Sequence, residues 1–155
     1  MLFRSPAAKQ LIDRAVELNP NSAAAWGNSG WINLWLGHPD IALERLGRAQ
    51  RLDPGPGGVK WSALAHAYFF LGRYEEAVAV AEENLRHNPD NHPGLRIGAA
   101  SAALAGHNDK ARRLATHLQS IDPTFAVSRL REYLGPYQNA EHLKKYALRL
   151  AGLPE

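Results

Sequence analysis

Four prolines divide the chain at nearly equal intervals. Pro20, Pro54, Pro89 and Pro123 are spaced by 34, 35 and 34 residues, and each follows Asn or Asp. Each closes a helix-compatible run: AAKQLIDRAVELNP, LGHPDIALERLGRAQRLDP, LGRYEEAVAVAEENLRHNP and AGHNDKARRLATHLQSIDP. A fixed period of this length marks a solenoid, in which each unit buries its apolar face only by stacking on its neighbours. The one extra residue falls in GPGG, residues 55–58, where a loop insertion costs little.

Inside a unit the pattern is two helices. In residues 58–89, Trp61, Leu64, Ala65 and Tyr68 recur at helical spacing, Gly72 interrupts, and Tyr74, Ala77, Ala81 and Leu85 form a second stripe. Glu75 and Glu76 open that second helix and Arg86 and His87 close it, the charge order that suits the helix dipole. The residue before a proline avoids the helical region, so Asn88 forces the exit. Small residues at Gly30, Ala42, Ala65, Ala77, Ala99 and Ala111 mark where antiparallel helices approach closely.

These residues resemble the tetratricopeptide repeat. Residues 58–89 match at Trp61, Leu64, Tyr68, Ala77 and Pro89, with Ala65 in the small position. Residues 23–54 match at Trp26, Gly30, Ala42, Ala49 and Pro54, with Leu46 in an aromatic position and departures at Ser29 and Asn33. Residues 92–123 match at Leu95, Ala99, Ala102, Ala111, Ala115 and Pro123. The resemblance implies an all-α, right-handed α-solenoid over residues 1–155: a half repeat at 3–20, repeats at 23–54, 58–89 and 92–123, and capping helices at 124–155.

The two ends depart from the repeat. Residues 6–18 read as a second helix without its first, so the expectation is a fragment of a longer chain or a stripe at Ala8, Leu11, Ile12 and Ala15 that pairs with another copy. TFAVSRLREYLG reads as a short helix with Thr124 as a cap. NAEHLKKYALRLAGLPE reads as a final helix from Asn139 that stops at Gly152. That helix can seal the last repeat or lie in the groove. The tail, PYQNAEHLKKYALRLAGLPE after IDPTFAVSRLR, resembles the carboxyl end of bacterial multidomain proteins of the adenylate cyclase type. That resemblance implies a repeat part without the catalytic part.

Chemistry is sparse. There is no cysteine, which removes disulfides and thiolate catalysis. The seven histidines form no His-Glu-x-x-His pattern, and His87 with His92 across a turn is too few ligands for a metal site. DPGPGGVKW lacks the Gly-Lys-Ser/Thr of a phosphate loop, and its prolines remove backbone donors. The expectation is no enzyme, no cofactor and no metal. A net charge of +3 is mild, and the pairs Arg112–Arg113 and Lys144–Lys145 read as solvated helix faces, so no nucleic-acid partner is expected. No apolar run is long enough for a bilayer. No membrane partner and a cytoplasmic location are expected.

The resemblance places the groove on the first helix of each unit. The lining positions are Asn28, Trp31 and Trp35, then Ser62, His66, Phe69 and Phe70, then Arg96, Ile97 and Ala100. Aromatics are enriched where surfaces bind partners. The family's carboxylate clamp for acidic peptide ends needs Lys and Asn, but Gly27 and Trp31 stand at the corresponding places. The expected function is a protein-interaction module that holds an apolar or amphipathic segment. Self-association is the alternative, and RNA binding is less favoured because of the aromatic lining. Phe69 and Leu34 can also pack between adjacent first helices, and Trp35 can plug the turn that follows it.

Overall fold

The computed structural model describes residues 5–55, 58–130 and 151–154. Among the described residues seven helices follow one another: α1 (Pro6–Leu18), α2 (Ala23–Trp35), α3 (Pro39–Leu52), α4 (Gly58–Phe70), α5 (Tyr74–His87), α6 (His92–Leu104) and α7 (Asn108–Ile121). The described residues contain no strand. Each helix packs on the next, and the first helices α2, α4 and α6 also lie side by side. This is the α-solenoid expected from the proline register.

The backbone repeats because the same local chemistry recurs. Asn19, Asp53, Asn88 and Asp122, each before its proline, share φ between −142° and −136° and ψ between 82° and 91°. The proline ring excludes the helical region for the residue before it. The turn inside each unit is equally uniform. Gly37, Gly72 and Gly106 sit at φ 81°, 74° and 84°, where a Cβ would be strained. The next residue's N–H donates back to a helix carbonyl: His38 to Asn33 at 2.9 Å, Arg73 to Tyr68 at 2.9 Å and His107 to Ala102 at 2.8 Å. Each glycine's own N–H bonds three residues back, to Leu34, Phe69 and Ala103. The pair of bonds is a Schellman closure, which satisfies carbonyls that the helix end leaves open.

Helix starts divide into two kinds. Ser5, Ser22 and Asn91 cap α1, α2 and α6 through side-chain oxygens that accept from the N–H three residues on. The second helices α3, α5 and α7 have no side-chain cap; the glycine turn delivers the chain into them directly.

The core is built from small residues and a few large anchors. Ala42, Ala49, Ala65, Ala77, Ala81, Ala99 and Ala111 are fully buried, alongside Leu34, Leu46, Phe69, Leu95 and Leu118. A Cβ at Gly30 would overlap the Leu46 side chain, so α2 and α3 meet at a distance only glycine permits. Departures from the repeat pattern are absorbed locally: buried Asn33 donates to the Ser29 carbonyl one turn back at 2.8 Å.

The chain after α7 differs from the sequence expectation. Thr124 does not cap a helix; its N–H and hydroxyl both donate to Asp122 Oδ1, at 3.1 and 2.7 Å. A three-residue 3-10 turn, Val127–Arg129, follows an extended Ala126. The expected final helix falls largely on residues 131–150, outside the described residues. Its expected stop is described: Gly152 adopts φ 84°. Ala151 and Leu153 are buried in the same core as Phe125, Val127 and Leu130, and the Val127 N–H donates to the Pro154 carbonyl at 2.8 Å.

Candidate functional site

Stacking of the first helices creates a cavity of about 320 Å³. Asn28, Trp31, Ile32 and Trp35 of α2 form one wall, Ser62 of α4 the floor, and Asn91 with Pro93 at the start of α6 the other wall. Helical periodicity explains the α2 wall: positions 28, 31, 32 and 35 share one face. Trp31 and Trp35 stack with centroids 5.5 Å apart and planes 24° apart. The aromatic row continues onto α4, where His66 lies 5.3 Å from Trp31 and 6.5 Å from Phe70.

A polar network fixes the floor to the far wall. Asn91 Oδ1 accepts from the Ser62 hydroxyl at 2.8 Å, from Asn84 Nδ2 at 2.9 Å and from the Gly94 N–H at 2.8 Å. Asn84 Nδ2 also donates to Ser62 Oγ at 3.1 Å. One carboxamide oxygen therefore joins α4, α5 and α6.

Beneath the aromatic row the electrostatics change. His66 is fully buried, and its pKa is pushed down to about 3, first by burial and then by the Arg96 charge, against the Ser62 carbonyl. Its Nδ1 lies 2.7 Å from that carbonyl. A carbonyl only accepts, so Nδ1 carries the proton and the ring is neutral. Nε2 is buried without a hydrogen-bond partner. Arg96, 3% exposed, places Nη1 3.5 Å from His92 Nδ1, and His92 Nε2 sits 3.1 Å from Asp122 Oδ2. Burial, and then Arg96, hold the His92 pKa below the ordinary value despite the carboxylate.

The positions expected to line one groove separate into two groups. Asn28, Trp31, Trp35 and Ser62 come together at the cavity; Phe70 is half-buried and is not among its lining residues. Phe69, Ile97 and Ala100 are not on an open surface: all three are fully buried, and the other two expected groove positions, His66 and Arg96, are buried as well. Phe69 packs edge-on to Phe70 at 5.1 Å and lies 5.6 Å from Tyr74. Ile97 and Ala100 lie in a run from Gly94 to Ala103 that is buried throughout. A first helix that packs against three neighbouring helices keeps little free circumference. On α1, Ala8 is buried and cannot contribute to an exposed stripe; Ile12 and Ala15 are both partly buried, while Leu11 and Leu18 are 69% and 70% exposed. His87 and His92 do not meet; each faces a carboxylate, Glu83 and Asp122. Among the described residues no helix is long and apolar enough to cross a membrane.

Sequence reasoning missed Ile32, Asn91 and Pro93. The signal for Asn91 was present as the cap residue before a proline-initiated helix, NHPG. Its place in the site depends on stacking of the next unit, which a position count along first helices does not see.

The geometry agrees with comparison to known proteins. Residues 61–91 match the tetratricopeptide repeat family. The chain is similar to tetratricopeptide-repeat proteins. It is 35% identical over 96 residues to small glutamine-rich tetratricopeptide repeat-containing protein 2 of Mycosarcoma maydis, covering 62% of this chain and 27% of that protein. It is 28% identical over 129 residues to TPR repeat-containing protein YpiA of Bacillus subtilis (strain 168), covering 83% and 30%. The chain thus spans less than a third of the length of either relative. Among solved structures, MamA superposes with a TM-score of 0.71 at 20% identity, covering 94% of this chain and 88% of that one. TTC0263, a thermophilic protein of Thermus thermophilus, gives 0.67 at 24%, covering 94% and 82%. PilW, a type IV pilus biogenesis factor, gives 0.70 at 20%, covering 88% and 66%. These likenesses establish the fold.

Proposed function

We propose that this domain is a protein-interaction module that holds an apolar or amphipathic segment of a partner protein against Trp31 and Trp35. The observation that carries the reading is the cavity itself: two stacked indoles, half-buried, walled by neutral polar groups and set between three first helices. Clustered aromatic side chains in a desolvated pocket are the usual seat of binding energy between proteins. The tail resemblance supports a wider setting, the carboxyl-terminal regulatory part of a larger bacterial signalling protein of the adenylate cyclase type. Among the described residues no cation lines the cavity, which favours protein over RNA, whose phosphates need basic contacts.

Selection of peptides from a displayed library on the wild-type domain and on Trp31→Ala tests the reading. The expected result is a peptide set enriched by the wild type and lost on Trp31→Ala, with helicity by circular dichroism unchanged. Equal enrichment on both proteins would sink it.

Self-association is a second reading, favoured by the exposure of Leu11 and Leu18 one heptad apart on α1. Light scattering across a concentration series should then show a dimer that Leu11→Glu abolishes. A monomer at every concentration would contradict it.

A further inference from the structure

A second cavity, of about 330 Å³, opens on the face of α2 away from Trp31. Asp13, Val16 and Glu17 of α1, Trp26 of α2 and Arg45 of α3 line it. The Arg45 guanidinium lies over the Trp26 ring, 5.0 Å from its centroid. The indole is held in turn by its N–H, which donates to the Pro20 carbonyl at 2.8 Å. Arg45 is half-buried, so it has given up hydration for the aromatic face. It has gained no carboxylate: among the described residues its guanidinium has no ion pair, and Nε is buried without a hydrogen-bond partner.

Other arginines of the chain are treated differently. Arg14, Arg73, Arg86 and Arg112 each pair with a carboxylate three residues away on the same stretch of helix. Arg45 has no such neighbour, because the residues three and four positions away are Ile41, Ala42, Arg48 and Ala49. The repeat register makes the contrast sharper. Trp26 stands 28 residues before Pro54, as Trp61 and Leu95 stand before Pro89 and Pro123. Arg45 stands nine before Pro54, and the same place in the next two units holds Val80 and Leu114, both packed on the core. Where those units put an apolar side chain, the first puts a cation with donors unused. The carboxylates across the cavity are already engaged, Asp13 by Lys9 and Glu17 by Arg14. Within this group of five charges, one positive charge is left without a partner, and it is that of Arg45.

We propose that Arg45 receives the carboxylate of an Asp or Glu side chain from a partner protein, docked between α1 and α3. A guanidinium meets a carboxylate through two parallel N–H···O bonds, and stacking on Trp26 fixes the plane of the fork. Asp13 Oδ1, buried in the same cavity wall and without a donor, accepts from a backbone N–H of the same segment. A neutral donor suits that atom because Lys9 already supplies the counter-charge. Phosphate is a poorer complement, since its second negative charge would face Asp13 and Glu17 across the cavity. This surface is separate from the Trp31–Trp35 cavity, and the proposal stands or falls independently of what that cavity holds.

The probes are N-acetyl-Gly-Glu-Gly-amide, its Gln counterpart, sodium acetate and inorganic phosphate, each titrated at low salt while the indole N–H resonances are recorded. The Glu peptide should shift Trp26 saturably and leave Trp31 and Trp35 in place, the reverse of a ligand in the first cavity. The Gln peptide should bind about tenfold more weakly or worse, the scale of a charge-assisted hydrogen bond. Acetate has the carboxylate without the backbone N–H and should bind roughly threefold more weakly, the scale of one neutral hydrogen bond. Arg45→Leu installs the side chain found at position 114 and should abolish the shift while thermal unfolding stays unchanged or rises. Asp13→Asn keeps an acceptor oxygen and should retain binding. Equal binding of the Glu and Gln peptides, or a shift that survives Arg45→Leu, would overturn the proposal. Acetate or phosphate binding as tightly as the Glu peptide would make the ligand a free anion rather than a protein segment and would overturn it too. Loss of binding in Asp13→Asn with Arg45→Leu unaffected would make the ligand a cation. Silence of all four probes also overturns the proposal, and the library selection on Trp31→Ala decides the interaction-module reading separately.

Discussion

The α2–α4 junction and α6 are built on the same backbone and do opposite things with it. At α2–α4, Trp31 and Trp35 remain half-buried and frame a cavity whose described lining residues carry no charge. At α6, Gly94 to Ala103 are buried without a break, and the one cation of that stretch, Arg96, is turned toward His92 and the Asp122 carboxylate behind it. The turns, proline exits and small-residue contacts are shared by both. The difference teaches that the repeat period determines where helices go, while the side chains between the repeat positions decide which stretch of first-helix surface stays open.

That comparison can be broken at its core. Leu46 is fully buried against Gly30, and Leu46→Ala should cost about 2–5 kcal/mol, the range for emptying a buried leucine position. Chemical denaturation measures it. A cost below about 1 kcal/mol, under the range for such truncations, would mean that α2 and α3 are not held by this contact.

Acid should act through His66. Its folded pKa of about 3 lies below the ordinary value of 6.5, so the unfolded chain takes up a proton that the folded chain refuses. The stabilisation from keeping this ring neutral is complete above pH 6.5 and is lost as pH falls from there toward 3. The slope is about 1.4 kcal/mol per pH unit, or roughly 2–3 kcal/mol by about pH 4.5. Urea unfolding at several pH values should show that slope in the wild type and a flatter one in His66→Leu. Parallel slopes would place the acid sensitivity elsewhere.

The shared scaffold predicts equal losses in the two regions. Gly37→Ala next to the cavity and Gly106→Ala beyond α6 each place a Cβ at positive φ and should each cost about 1 kcal/mol. A large inequality in thermal unfolding would show that the turns are not equivalent. The smallest expected effect is on stability at the cavity rim: Asn28→Ala should change it by no more than about 0.5 kcal/mol, since the side chain is exposed. A greater loss would mean that Asn28 is structural and not available to a ligand.

The scaffold was legible because its rules are local. Asn or Asp before proline and glycine between helices act within a turn of chain, so Asn88–Pro89 and Gly72 could be placed from sequence. The cavity was legible only in part. Trp31 and Trp35 follow from one helix's periodicity, but Asn91 and Pro93 enter from two units further along the chain, through packing. Phe69, Ile97 and Ala100 carried a groove position by count, yet a helix wedged among neighbours buries most of its circumference, and no one-helix pattern shows which arc survives. The exposed Leu18 is missed for the converse reason: the stripe on α1 is defined by Ala8 and Ile12, and Ala8 faces inward.

The four tryptophans give a direct test of the central claim that the cavity is the binding surface. Trp31 and Trp35 line it, Trp26 sits under Arg45 with its indole N–H bonded to the Pro20 carbonyl at 2.8 Å, and Trp61 lies elsewhere on α4 with its indole nitrogen buried. A peptide selected on the wild-type domain, titrated while the four indole N–H resonances are recorded, should move the Trp31 and Trp35 signals and leave those of Trp26 and Trp61 in place. Movement of Trp26 with Trp31 and Trp35 unchanged would put the binding surface on the other face of α2, beside Arg45 of α3, and contradict the account.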